Sequence, residues 1–264
     1  MVEWPPRKYV QKNFKKHLTA GGTSGIFIAH TVTKNTKHTD KMKTKTLLIA
    51  AAALAATVIS SQAQVYSGVV GYVSLVTQAN HYAAVENPVD LDGIDCVTNV
   101  LAGAPKGTVV QIWNGAGFTL CSRSSFGAGA WSANAATNYI PPGVGFFIST
   151  PSPYTNTFVG TVGSGTYPST NTIALTANHY QFIGAVLPIS GTVTNGADQG
   201  PDALNLGSVL PKGTVIQVWN GAGYTLGSRG SFGAGTWSTN FTISVGQAFF
   251  VNSPVSTNWT QSLQ

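Results

Sequence analysis

Charge is scarce in this chain of 264 residues: only 8% are Asp, Glu, Lys or Arg, against about 25% in an ordinary globular protein. That shortage, with 10% aromatic residues, excludes the highly charged, aromatic-poor composition of charge-driven disorder. Cysteine and methionine are nearly missing as well, with two of each. A disulfide-dense scaffold is therefore excluded. The 30 glycines and 13 prolines have no triplet period, which excludes collagen. The one long apolar run, Leu47 to Ile59, stops at 13 residues, short of the roughly 20 needed to span a bilayer as a helix. The polar surface has to be built from Ser, Thr, Asn, Gln and Gly, which suits a β-rich protein of the cell exterior.

The formal charge of +6 is unevenly placed. Ten of the fourteen Lys and Arg residues precede residue 64, and only Lys106, Arg123, Lys212 and Arg229 follow it. Six acids follow it too: Glu86, Asp90, Asp92, Asp95, Asp198 and Asp202. The body thus carries −2, with no basic patch in its sequence to suggest nucleic acid as a partner.

The basic end has its own logic. Met42-Lys43-Thr44-Lys45-Thr46 is a positive leader, Leu47–Ile59 an apolar segment, and Ser61-Gln62-Ala63 a small-residue cleavage site. This is the pattern of a secretory signal peptide. The expected division is 1–41 as an extension upstream of the true start, 42–63 as the signal, and a mature chain from Gln64 that is secreted, periplasmic or displayed at the cell surface. No stable membrane insertion is expected after cleavage.

That mature chain is a repeat. Residues 105–132 and 211–238 match at 22 of 28 positions at an offset of 106. Asn80-His81-Tyr82 matches Asn178-His179-Tyr180, and Phe146-Phe147 matches Phe249-Phe250. A unit of about 100 residues is domain-sized rather than a solenoid repeat. Two modules, 64–163 and 164–264, are expected, joined near Gly160–Gly165. Within each, runs such as Thr108–Trp113 and Phe118–Arg123, joined by Asn114-Gly115-Ala116-Gly117 with its Asn-Gly turn signal, have the composition of strands around a hairpin. Val69–Val76, Val144–Ser149 and Thr157–Val162 read as further strands. The expected fold is all-β: two tandem antiparallel modules, each a meander closed as a sandwich or small barrel.

Four groups of side chains carry candidate chemistry. His81 and His179 are the mature chain's histidines, and no Gly-x-Ser-x-Gly elbow accompanies them. No catalytic residue and no cofactor is expected. Asp90, Asp92 and Asp95 around Gly93 have oxygen ligands dense enough for calcium, but lack its helix-loop-helix spacing and read as a turn; no metal is expected. Cys96 and Cys121 occur in the first copy only, and their joint absence from the second is what a disulfide would leave. Trp113, Trp131, Trp219 and Trp237 recur with Arg123 and Arg229. They read either as core plugs or as a sugar-stacking platform edged by arginine.

The succession Trp113-Asn114-Gly115, Gly129-Ala130-Trp131, Pro142-Gly143-Val144-Gly145-Phe146-Phe147 and Thr157–Gly160 resembles uncharacterised secreted proteins of planctomycete and verrucomicrobial type. The second copy departs from it at Ser244–Phe250, without the Pro and the second Gly. The resemblance implies a secreted β-repeat protein and carries no activity. Two functions are therefore expected as alternatives. One is a non-catalytic structural or adhesive surface protein. The other is a pair of carbohydrate-binding modules whose site is the repeated Trp and Arg residues, with polysaccharide or other surface components as partners.

Overall fold

The computed structural model describes residues 70–165, 169–193 and 203–264. The proposed upstream extension and signal peptide lie outside them. Residues 64–264 form one compact unit, and its strand pairings are antiparallel. The protein is all-β, as its alternating Val, Ile, Thr and aromatic runs require.

The first copy contains β1 (Val70–Thr77), β2 (Tyr82–Glu86), β3 (Val109–Trp113), β4 (Phe118–Ser122), β5 (Gly145–Ser149) and β6 (Tyr154–Thr161). The second contains β7 (Ser169–Leu175), β8 (Tyr180–Ile183), β9 (Gly191–Val193), β10 (Val215–Trp219), β11 (Tyr224–Ser228), β12 (Phe241–Ile243), β13 (Phe249–Asn252) and β14 (Thr257–Leu263). Each copy builds a four-stranded sheet, β2-β5-β3-β4 or β8-β13-β10-β11, and a two-stranded ribbon, β1-β6 or β7-β14. These are not meanders. The strand β5 (Gly-Phe-Phe-Ile-Ser) is buried along both faces except at its last residue. It belongs at the centre of a sheet covered on both sides, and so it lies between β2 and β3.

The turns follow from local chemistry. Trp113 pairs with Phe118, which leaves four residues in the β3–β4 connection. Asn114 Oδ1 accepts from the N–H groups of Ala116 and Gly117, an Asx turn. A two-residue Asn-Gly hairpin would place both residues at positive φ; here Gly115 alone does so, at 95°, and Gly221 matches it at 97°. A Cβ at either position meets no neighbouring atom, but valine there is forced into a conformation closed to β-branched residues. Gly115→Val and Gly221→Val should each cost about 1–3 kcal/mol in urea unfolding; a loss under 0.5 kcal/mol would contradict this turn geometry. The Asn-His-Tyr motif is likewise a corner. Asn80 and Asn178 take the left-handed conformation, and their N–H groups donate to Thr150 O and Ser253 O at 2.7 Å. His81 Nδ1 lies 2.8 Å from Ala79 O within the same corner.

The two copies meet about a pseudo-twofold axis. The carbonyls of Gly246 and Gly143 accept from the N–H groups of Glu86 and Gly184 respectively, and the bridges Val85–Gln247 and Val144–Ile183 are equivalent in the same way. One hydrophobic core takes residues from both copies, Phe146 and Ile148 with Phe249 and Trp259. On the opposite face of the central strands lies a second cluster, Ala84, Phe147, Phe182, Ala248 and Phe250. Positions at the axis cannot be occupied twice, and there the copies differ in size. Phe182 of one faces Ala84 of the other in this cluster, and Glu86 lies against Gly184, where a Cβ would come within 2.3 Å of Glu86 Cγ.

Candidate functional site

The six aromatic and arginine residues singled out in the sequence separate into three places. Trp113 and Trp219 come together at the seam. Trp113 Nε1 donates to Tyr180 O at 2.9 Å, and Trp219 Nε1 donates to Tyr82 O at 2.8 Å. Each indole thus bonds the opposite copy. Their rings lie edge-on to Phe250 and Phe147 at 5.4 and 5.6 Å, and those two flank Phe182 in a stack at 4.4 and 4.8 Å. This is the exchange that an isologous contact makes, here within one chain. Both tryptophans are half-buried and edge-packed, so neither is a flat exposed platform.

Arg123 with Trp131, and Arg229 with Trp237, stand at the necks of two loops, 123–131 and 229–237. Arg123 Nε donates to Gly129 O at 2.9 Å, and its Nη1 donates to the carbonyls of Ala102 and Ala104. Arg229 repeats this with Gly235, Ser208 and Leu210. These arginines staple the loop to the segment before β3 or β10, using the guanidinium fork on backbone carbonyls rather than offering it to a ligand. Trp131 is half-buried, and Trp237 is 6% exposed with its Nε1 bonded to Gly207 O. All of these partners lie within the chain.

The expected disulfide is not formed: Cys96 and Cys121 are both buried free thiols. Cys96 Sγ lies 3.1 Å from Thr98 Oγ1. Cys121 bonds the side chain of Asn138, while burial pushes its thiol up from the ordinary range. The absence of Cys121 from copy two has another cause. At the offset of 103 set by Phe146/Phe249, Asn138 corresponds to Phe241. A Cβ on Gly227 would fall 2.1 Å from the Phe241 ring. Where the first copy has Cys121 beside Asn138, the second has Gly227 beside Phe241, a smaller residue against a larger one. Cys96, by its pairing beside Tyr139, matches Thr192 beside Thr242. Reducing agent should leave the melting temperature unchanged, and thiol titration should find two reactive groups per chain only after unfolding. A shift of several degrees on reduction would restore the disulfide.

The aspartates serve their own turn. Asp90 Oδ1 accepts from Gly93 N–H at 2.7 Å, and Asp95 Oδ1 accepts from Asn87 Nδ2 and Leu91 N–H. Burial, with Asp90 nearby, raises the Asp95 carboxyl. A different carboxylate escaped notice in the sequence. Glu86 is fully buried at the seam, with Oε2 accepting from Gly143 N–H at 3.2 Å and Oε1 without a hydrogen-bond partner. Burial drives its carboxyl well above the ordinary range, and the N–H groups of Gly143 and Ala185 offset only part of this. One acid among small apolar residues carries no signal in a sequence.

A groove of about 280 Å³ runs beside Trp219, lined by Tyr82, His81, Gln78 and Asn220. Among the described residues no helix is long and apolar enough to cross a membrane. Comparison with protein-family models, curated proteins and solved structures finds no match for this chain.

Proposed function

We propose that this is a non-catalytic structural or adhesive protein of the cell exterior, exported by its signal segment. The observation that supports the reading best is the use of the repeated tryptophans and arginines. Indole N–H groups that could grip a sugar are bonded across the seam, and the guanidinium groups that could flank it hold loop carbonyls. Such groups make a rigid two-copy body. The low-charge surface of Ser, Thr, Asn and Gly suits packing among other surface components.

The groove beside Trp219 favours one alternative, a carbohydrate-binding protein, since Tyr82, His81 and Asn220 offer polar edges next to an aromatic ring. A panel of soluble polysaccharides separates the two. The scaffold reading expects no quenching of tryptophan fluorescence by any of them at millimolar sugar. Saturable quenching that Trp219→Phe abolishes would replace it with the carbohydrate reading.

A further inference from the structure

The two most exposed large apolar side chains among the described residues are Phe126, at 86%, and Phe232, at 92%. They occupy the same position in the two copies, at the tips of loops 123–131 and 229–237. A single exposed apolar residue is ordinary, but these loops are built to hold theirs out. In the first, Gly129 N–H donates to Phe126 O and Ser124 N–H donates to Ala130 O. Lys106 Nζ donates to Gly127 O, and Arg123 Nε donates to Gly129 O. The second repeats all four bonds with Gly235, Gly230, Lys212 and Arg229. Gly129 and Gly235 have positive φ, and a Cβ there would strike the stem of Lys106 or Lys212, so the lysines lie flat against the loops they fasten.

The charge is placed with the same economy. Lys106, Arg123, Lys212 and Arg229 are all the lysines and arginines that follow residue 63, and the structure fastens two to each of these loops. They bond backbone carbonyls, which leave the positive charge in place. The described acids lie elsewhere, Glu86 in the seam and Asp90, Asp92 and Asp95 in their own turn. A body of net charge −2 therefore presents two positive, apolar-tipped prongs.

We infer that loops 123–131 and 229–237 are prongs for an anionic lipid surface. Phe126 and Phe232 enter the boundary between headgroups and acyl chains, while Lys106 and Lys212 sit at the level of the phosphates and the loop-stapling Arg123 and Arg229 add positive charge behind them. An apolar tip backed by cations is the pattern of reversible interfacial binding, and it needs no spanning segment. A polysaccharide fits worse. The residues following each ring are Gly, Ala and Gly, which offer no side-chain hydrogen bond to a sugar, and among the described residues no second aromatic ring packs beside it. This goes beyond the scaffold reading and stands on residues away from the seam and its groove.

The test uses the compact chain Gln64–Gln264 in sedimentation with vesicles of phosphatidylglycerol and phosphatidylcholine. Wild type should bind vesicles rich in phosphatidylglycerol, release as salt rises to 0.5 M, and bind pure phosphatidylcholine at least tenfold more weakly. Phe126→Ser and Phe232→Ser touch only exposed rings. Each should weaken binding by roughly tenfold, the scale of burying part of an aromatic ring, and the double variant should lose it while unfolding at the wild-type temperature. Vesicle binding that survives the double substitution would overturn the proposal. So would failure to bind anionic vesicles, whether or not an acidic polysaccharide such as alginate is retained. Neither failure touches the scaffold reading, which fails instead on saturable sugar binding at Trp219.

Discussion

Phe250→Ala and Phe147→Ala should each lower the unfolding free energy by about 3–5 kcal/mol, the range for truncating a large buried aromatic. Phe250 is 6% and Phe147 5% exposed. Each belongs to one repeat but packs on the other. Phe250 touches Trp113 of the first copy, and Phe147 touches Trp219 of the second. Both stack on the ring of Phe182. The two losses should therefore not add. A double-mutant cycle should return a coupling of about 0.5–3 kcal/mol, as for residues sharing a partner. Urea unfolding of the four chains measures this. Additivity within 0.3 kcal/mol would mean that the cluster does not join the copies.

The second large effect concerns pH. Glu86 is held in the fold with its carboxyl well above the ordinary value of 4.5, chiefly by burial. A group whose pKa is raised in the folded state binds its proton more tightly there than in the unfolded chain. Its contribution is then fully present below the unfolded value and is lost as pH rises from about 4.5 toward the folded pKa. Wild-type protein should therefore lose stability steadily from pH 4.5 upward. Glu86→Gln keeps the shape and an acceptor for Gly143 N–H but cannot ionise, so it should flatten this decline. Asp95, also raised by burial, adds a slope of the same sign from lower pH, which the substitution leaves in place. Melting temperatures of both proteins between pH 4 and 8 check the sign. Parallel curves would show that Glu86 does not titrate in the seam.

Strands with one wet face are the easier to read from the sequence, although β5, covered on both faces, is also marked by its Phe-Phe-Ile run. The alternation Val-Gly-Tyr-Val-Ser-Leu-Val-Thr of β1 appears directly as alternating exposure, and β3, β4 and β5 fall within a residue of their expected limits. Strand β2, Tyr-Ala-Ala-Val-Glu, is covered on both sides and has no alternation to read. The repeat was plain, but the way its copies meet was not. What marks the seam is Phe182 against Ala84 and Glu86 against Gly184, and such size differences look like ordinary drift until the axis is seen. For the same reason the tryptophans suggested a platform. A sequence shows that an indole recurs, but not that its N–H is spent on the carbonyl of another repeat. The recurrence of the arginines beside the tryptophans is plain in the sequence, yet their role rests on the carbonyls of Ala102, Ala104, Ser208 and Leu210. Those are backbone atoms, which side-chain identity does not reveal. Phe126 and Phe232 sat inside the most strongly repeated stretch and still carried no signal, because only exposure separates a loop tip from a core plug.

A calorimetric scan of Gln64–Gln264 beside its Phe250→Ala variant tests most directly whether the repeats are halves of one body. One transition is expected for each protein, with calorimetric and van't Hoff enthalpies equal, and the substitution in the second copy should move the whole of it downward. Two transitions, one of them unmoved by Phe250→Ala, would contradict the shared core and make the repeats separate domains.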